Sequence, residues 1–318
     1  MESSITFHDY HPECTTLEEA VITGLSKEQK SIPPKFFYNE RGSQLFDQIC
    51  EQPEYYPPTV EREMLTNYAD EIASLTGIGR VLIEPGAGSA DKVRLLLDAL
   101  QPTAFVPMDI SFDHLKSSAS DLSEQYPWLD IHATCVDFTH SLPIPEITPD
   151  GPRLFFFPGS SIGNFNHDEA EQFLRMVHDA IGEDGMLLIG VDTKKNEARL
   201  NAAYNDQAGV TAEFNLNLLH RMRDELNIDC NPDHFDHKAF YNRVQGRIEM
   251  HLVSNREQTL KLNGHRFQFE KGEPVHTENS YKYAPDEFLK LAEKSGFKAV
   301  RHWLAPDNLF AIYLFEAV

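Results

Sequence analysis

The sequence predicts an α/β fold: a largely parallel sheet with helices on both faces, interrupted by a second unit. Three observations predict it. Short apolar runs alternate with helical patterns from residue 80 to 192. That rhythm breaks between 196 and 284. From 285 a helical segment and two alternating runs resume it.

Residues 1–79 read as mostly helical with Pro-rich breaks. Ser43 stands as a helix N-cap before apolar residues at helical spacing, and Pro53-Glu-Tyr-Tyr-Pro-Pro is a loop. Arg80-Val-Leu-Ile-Glu is a strand, and a helix is expected over 89–100 after Gly86-Ala-Gly88. Strands at 103–110, 129–137, 153–157 and 186–192 follow, with helices at 112–125 and 168–181. The latter is closed by Gly182 and Gly185. Residues 198–226 read as one long helix, and Ile248–Val253 as an alternating strand. The helix at 285–296 has Pro at its start and Gly at its end. Residues 297–303 and 309–316 then alternate as a hairpin.

The 318 residues carry a net charge of −22. Such acidity repels phosphate backbones and anionic headgroups, so neither nucleic acid nor membrane is an expected partner. A small-molecule substrate and a monomer are expected. No basic segment followed by an apolar run marks a signal peptide, and no apolar stretch approaches the roughly 20 residues of a membrane span. The four cysteines, Cys14, Cys50, Cys135 and Cys230, are scattered without metal-ligand spacing. They read as reduced thiols of a cytoplasmic protein, with no metal expected. His234 and His237 read as a solvated turn in an acidic loop.

Gly86-Ala-Gly88 permits a tight turn and close approach of backbone to a ligand. Alone it is as compatible with a structural turn as with a nucleotide loop, and Asp91 stands where a third Gly would complete a dinucleotide pattern. Asp109 ends the second strand, where a carboxylate can accept both ribose hydroxyls. Asp137-Phe138 ends the third, where a carboxylate and a ring can meet an adenine. These positions lie at the carboxyl ends of parallel strands, where open α/β sheets bind ligands. A helix and antiparallel hairpin closing the sheet resemble the end of a class I methyltransferase domain. The set favours S-adenosylmethionine over a nicotinamide dinucleotide.

After the fourth strand, Gly159-Ser-Ser-Ile-Gly-Asn opens space with small residues, and Asn164 offers both a donor and an acceptor. Here the sequence resembles the histidine-specific Nα-methyltransferases of ergothioneine biosynthesis. The resemblance rests on Phe37-Tyr-Asn-Glu-Arg-Gly-Ser-Gln-Leu-Phe, Pro53-Glu-Tyr-Tyr-Pro, Glu84-Pro-Gly-Ala-Gly, Gly159-Ser-Ser-Ile-Gly-Asn, Ala203-Tyr-Asn-Asp-Gln-Ala-Gly-Val-Thr-Ala-Glu-Phe-Asn, Ile248-Glu-Met and Thr277-Glu-Asn-Ser-Tyr-Lys-Tyr, in order over nearly the whole chain.

The resemblance implies a Rossmann-like methyltransferase domain at 60–195 plus 285–318, and a substrate-binding domain at 1–59 plus 196–284. It implies transfer of methyl groups from S-adenosylmethionine to the α-nitrogen of L-histidine, up to the trimethylated hercynine. The alternative is another amino acid or amine as substrate. Gly86, Gly88, Lys92, Asp109, Asp137 and Phe138 match the cofactor positions. Asn164 and Tyr204 match the residues that hold the amine and carboxylate and are the implied catalytic pair. Tyr55 matches a further substrate contact and Tyr38 one near the imidazole. Glu278 and Ser280 match the pair that reads the imidazole, with Met250 lining the same pocket. Asn279 departs from the small aliphatic residue commoner in the family. Strand alternation would point it away from Glu278 and Ser280.

Overall fold

The computed structural model describes residues 5–10 and 15–318. Readings that fall on Met1–Ser4 and on Cys14 lie outside them. The chain divides into two compact units. The first holds the described residues before 11, Thr59–Thr193 and Tyr283–Val318; the second holds Thr15–Pro58 and Lys194–Lys282. Among the described residues no helix is long and apolar enough to cross a membrane.

The first unit is built on an eight-stranded sheet. Its strands are β1 (Ile5–Asp9), β2 (Val81–Pro85), β3 (Ala104–Asp109), β4 (Ile131–Cys135), β5 (Arg153–Phe157), β6 (Met186–Asp192), β12 (Phe297–Leu304) and β13 (Phe310–Ala317), in the order β1-β4-β3-β2-β5-β6-β13-β12. The first six run parallel; β13 and β12 are antiparallel to their neighbours. The order reverses at β2, whose neighbours are β3 and β5. Strands β2, β4 and β6 are buried at every residue, which explains the apolar runs Val81–Ile83 and Met186–Val191; β4 is buried as well but includes His132 and Thr134. Around them lie α3 (Pro57–Thr76), α4 (Arg94–Leu100), α5 (Phe112–Gln125), α6 (His167–Ile181) and α9 (Pro285–Lys294). Leu82, Phe105, Phe156 and Leu188 of the sheet share one core with Leu65 and Ile72 of α3 and Leu97 of α4.

The second unit contains α1 (Leu17–Leu25), α2 (Glu40–Cys50), α7 (Glu197–Ala203) and α8 (Val210–Leu226). Its sheet orders β11 (Pro274–Tyr281), β8 (Arg247–Ser254) and β7 (Phe235–Asn242), all antiparallel. A separate hairpin joins β9 (Gln258–Leu262) to β10 (His265–Phe269).

Several local expectations change. β1 pairs with β4, so the first strand joins the large sheet rather than the N-terminal helices. Helix α2 begins one turn before Ser43, because the Asn39 side chain accepts from the Gly42 N–H at 2.8 Å and caps it. The helix expected from 89 starts only at Arg94: Gly88 and Ala90 both take positive φ, so Ser89–Val93 forms turns. The long helix at 198–226 is two helices. Gly209 is left-handed, and Asp206 accepts the Val210 and Thr211 N–H groups at 2.8 Å each, which starts α8 afresh. His237 is no turn residue: it lies half-buried on β7, 3.0 Å from the Tyr204 carbonyl and 3.0 Å from Asn215 Nδ2.

Candidate active site

In the first unit the carboxyl ends of β2, β3 and β4 bring three chain segments together. Gly86, with φ +65°, has the Phe138 ring 3.4 Å from where a Cβ would stand. A side chain there would fill the space over the ring. The Asp109 carboxylate accepts from the Gly88 N–H at 3.3 Å and the Ser111 N–H at 2.9 Å. Burial nonetheless pushes it above its usual value, the backbone donors opposing. Asp137 accepts from the Thr139 N–H at 3.1 Å and faces His140 at 3.3 Å. The Phe138 ring meets Phe157 and Phe173 edge-on. Gly86, Gly88, Asp109, Asp137 and Phe138 thus occupy one end of the sheet.

Two carboxylates there were missed by sequence reasoning. Glu84, 2 % exposed at the end of β2, is pushed up to about 8 by burial, with Lys92 opposing. Its Oε2 has no hydrogen-bond partner in the protein. Glu61, on α3, is 1 % exposed and accepts the Gly159 N–H at 2.9 Å. Lys92 pairs with it at 2.7 Å. Glu84 stands inside the motif that carries the resemblance; Glu61 has no signal in the sequence around it.

Asn164 ends a single 3-10 turn, Ser161–Asn164, just after β5. Ser160 before it is left-handed, and its hydroxyl accepts the Asp192 N–H at 2.8 Å, which ties this turn to the end of β6. The turn therefore also lies at the carboxyl end of the sheet.

The donor set fits a cationic nucleoside without phosphates. Glu84, Asp109 and Asp137 line the strand ends, and Lys92 is engaged by Glu61. A pyrophosphate would meet repulsion there. An orphan carboxylate oxygen on Glu84 suits an ammonium such as that of S-adenosylmethionine.

In the second unit, cross-strand register puts Glu278 opposite Met250 and Ser280 opposite Ile248, while Asn279 faces Glu249. Asn279 therefore points to the other side of the sheet from Glu278 and Ser280. A bulge at Thr277 sets this phase, with its hydroxyl donating to Asn215 Oδ1 at 2.8 Å. Tyr204, at the end of α7, donates its hydroxyl to Ser280 Oγ at 2.8 Å. The buried Lys282 ammonium donates to Ser280 Oγ at 2.8 Å and to Tyr204 Oη at 3.2 Å. The Tyr55 ring packs edge-on against Tyr204, and Tyr38 packs edge-on against Phe46 and Phe214. Burial pushes Glu278 up to about 7, with the Lys282 charge opposing. The Tyr55 phenol is pushed well above its usual range by burial, then by Tyr204, Cys50, Glu278 and Tyr38. Tyr204 thus has its hydroxyl on Ser280, one of the two residues that the resemblance assigns to the imidazole. Lys282 was not singled out from the sequence, though it lies in a matching stretch.

On the opposite sheet face, Glu249, His251 and His276 hold ligand atoms within 4.8 Å of one another. The Arg247 guanidinium, 2.7 Å from Glu249 Oε1, already neutralises that carboxylate, and the two imidazoles stack at 19° so their in-plane lone pairs do not converge. Glu249 Oε2 lies 3.0 Å from His251 Nε2, while the buried His251 Nδ1 has no hydrogen-bond partner.

Comparison with known proteins matches residues 17–317 to the model of the family described as histidine-specific methyltransferase, SAM-dependent. The chain belongs to that family. It is 39% identical over 304 residues to a histidine N-alpha-methyltransferase of Mycobacterium tuberculosis, covering 94% of each chain. A histidine N-alpha-methyltransferase of Mycolicibacterium smegmatis is 36% identical over 305 residues, again with 94% of each covered. The family is wider than histidine: a 4-dimethylallyltryptophan N-methyltransferase of Aspergillus fumigatus is 26% identical over 318 residues, covering 94% of this chain and 93% of that one. The protein is accordingly an S-adenosylmethionine-dependent N-methyltransferase of class I, Rossmann-like fold, and its mixed, mostly parallel sheet is the framework of that activity.

Proposed function

We propose that the protein transfers methyl groups from S-adenosylmethionine to the α-nitrogen of L-histidine, up to hercynine, as the first step of ergothioneine biosynthesis. The observation that carries this is the Glu278–Ser280 pair on one face of β11, opposite Met250 and Ile248. An imidazole has two ring nitrogens, and a site that reads both needs one acceptor and one further polar partner. The relatives at 36–39% identity are histidine methyltransferases by name. An indole-bearing amine, as in the relative at 26%, offers only one ring N–H and would leave Ser280 unmatched.

In this reading the first unit binds the cofactor. Gly86 and Gly88 admit it, Asp109 accepts the ribose hydroxyls, Asp137 and Phe138 meet the adenine, and Lys92 holds Glu61 and the loop at Gly159. S-adenosylmethionine supplies an electrophilic methyl on a sulfonium. The second unit reads the amino acid through Tyr38, Tyr55, Tyr204, Met250, Glu278 and Ser280. The attacking amine must be unprotonated, and water can take its proton. Asn164 directs the lone pair, so that the protein acts chiefly by orientation. The small residues Gly159 and Ser160 leave room as methyls accumulate. No metal has a role, and the protein acts as a cytoplasmic monomer.

Mass spectrometry of L-histidine incubated with the protein and S-adenosylmethionine tests this. Gains of one, two and three methyls on the α-nitrogen are expected. Cofactor binding without any gain on histidine would refute histidine as substrate and direct the search to other amines.

A further inference from the structure

Glu278, Ser280 and Lys282 alternate along the end of β11 and its continuation, so their side chains share a face. Lys282 is 2 % exposed, and its backbone N–H donates to the Gly246 carbonyl at 2.9 Å, which fixes where the side chain starts. Its ammonium has only hydrogens to give. It donates to Ser280 Oγ at 2.8 Å and to Tyr204 Oη at 3.2 Å, and lies 5.1 Å from the Tyr204 ring centroid. Tyr204 and Ser280 are themselves 2.8 Å apart. Between two hydroxyls the phenol is the stronger acid and so the stronger donor. An ammonium already bonded to the phenol oxygen polarises it further in that direction. Ser280 Oγ therefore accepts twice, once from Lys282 and once from Tyr204, which uses both of its lone pairs. What remains is its own O–H.

We propose that Lys282 is a specificity-determining positioning residue: with Tyr204 it fixes the Ser280 hydroxyl as a hydrogen-bond donor, so the pocket takes the neutral imidazole of its amino acid and not the imidazolium. This rests on the histidine reading above. A neutral imidazole has one N–H and one bare nitrogen, which match an accepting Glu278 carboxylate and a donating Ser280. An imidazolium presents two N–H groups, and the second would face a hydroxyl with no lone pair left to accept it. The charge on Lys282 also opposes the desolvation of Glu278 and so favours its accepting form. Lys282 thereby arranges both polarities of the pocket while touching the ligand through neither.

The test is a double-mutant cycle on histidine kinetics with Lys282→Met, Ser280→Ala and the pair together, using β-(2-thienyl)-L-alanine as the ring analogue without nitrogen. Lys282→Met is expected to raise the histidine KM roughly ten- to a hundredfold, the range for one bond to a charged partner. It should narrow the preference for histidine over the thienyl analogue and leave S-adenosylmethionine affinity by calorimetry unchanged. Acting through Ser280, it should add far less to Ser280→Ala than its effect alone. An unchanged KM, or losses that multiply in full, overturns the proposal. Should Lys282→Met not fold, Lys282→Gln enters the same cycle under the same criteria: a submultiplicative loss supports the proposal, and no loss or a fully multiplied one overturns it. Methylation of histidine by the unsubstituted protein with a failed cycle removes only this inference; no methylation of histidine removes the histidine reading and this inference with it.

Discussion

Lys92 Nζ lies 2.7 Å from Glu61 Oε2, and the same carboxylate accepts the Gly159 N–H at 2.9 Å. One buried acid thus joins the loop after β2 to the loop after β5. Glu61→Ala would leave the Lys92 ammonium without its carboxylate and the Gly159 amide without its acceptor. Breaking a buried pair by removing one member costs about 3–5 kcal/mol. The expected result in a urea unfolding series is a loss of that size, together with weaker S-adenosylmethionine binding. A variant as stable as the parent would remove Glu61 from its structural role.

Gly190, on β6, is the complement of that acid. A Cβ built on it would stand 1.9 Å from Glu61 Oε1 and 3.0 Å from the Phe310 ring. Gly190→Ala therefore displaces a buried carboxylate that has two partners to keep. Overpacking alone costs about 1–3 kcal/mol, and the lost contacts of Glu61 add to it. Thermal melting should show Gly190→Ala less stable than the parent, and Gly185→Ala is no control because its Cβ would also meet Ile181 at 2.3 Å.

The sheet was legible because β2, β3, β5 and β6 are buried on both faces and carry apolar runs such as Val81–Ile83 and Met186–Val191, whereas β4, also buried, alternates with His132 and Thr134. The closing helix was legible from Pro285, and the last strand from its apolar residues, though β13 is buried almost throughout and does not alternate as expected. β1 was not: Ile5–Asp9 is a half-exposed edge strand without a sustained period, and its partner lies more than 120 residues away. The split between α7 and α8 lies at Asn205, Asp206 and Gly209, turn-forming residues that the apolar spacing on either side overrode, and Asp206 caps α8 through its side chain. Among site residues, the strand-end aspartates were readable from position alone. Glu278, Ser280 and Tyr204 needed the family resemblance, because what unites them is a bulge at Thr277 and a helix break at Tyr204. Glu61 and Lys282 act through partners 98 and 78 residues away, which no local pattern announces.

Asn164→Ala tests the turn after β5. Asn164 ends that turn half-buried, so truncation removes the amide with little loss of packing. Folding and cofactor affinity should stay near those of the parent, while turnover of histidine falls roughly a hundredfold or more, as for loss of an orienting group. Single-turnover kinetics separates this from slow product release, and a normal rate would take Asn164 out of the site.

Glu84→Gln should separate stability from cofactor binding. Burial raises the Glu84 carboxyl from 4.5 to about 8, so the folded state holds its proton more tightly than the unfolded chain does. Stability from that proton is complete below pH 4.5 and is lost as pH rises through about 8. Gln keeps the shape without the titration. The variant is therefore expected to be more stable than the parent near pH 8 and little changed near pH 5, by urea unfolding without cofactor. Calorimetry should show it binding S-adenosylmethionine more weakly, since Glu84 can give up its proton to meet the incoming ammonium and Gln cannot ionise. Equal affinity would mean that Glu84 does not meet the cofactor.

Glu278 carries the pH dependence of substrate selection. Its carboxyl is raised from 4.5 to about 7 by burial against the pull of Lys282, and the Tyr55 phenol also feels its charge. The carboxylate accepts from an imidazole N–H in a charge-assisted bond that the neutral acid cannot match, so kcat/KM for histidine should rise as pH passes through about 7. The amine and imidazole of histidine titrate too, but they do so identically with any variant. The ratio of parent to Glu278→Gln therefore isolates the residue, and it should climb through pH 7 and level off above it. For stability the sign is opposite. The protonated form is favoured on folding, so stability is greatest below pH 4.5 and falls as pH rises to about 7, by up to about 3 kcal/mol before solvent screening. A binding site that needs the charged acid and a fold that prefers the neutral one set these two slopes against each other. A parent-to-variant ratio that is flat from pH 6 to 8 would mean that Glu278 does not read the imidazole.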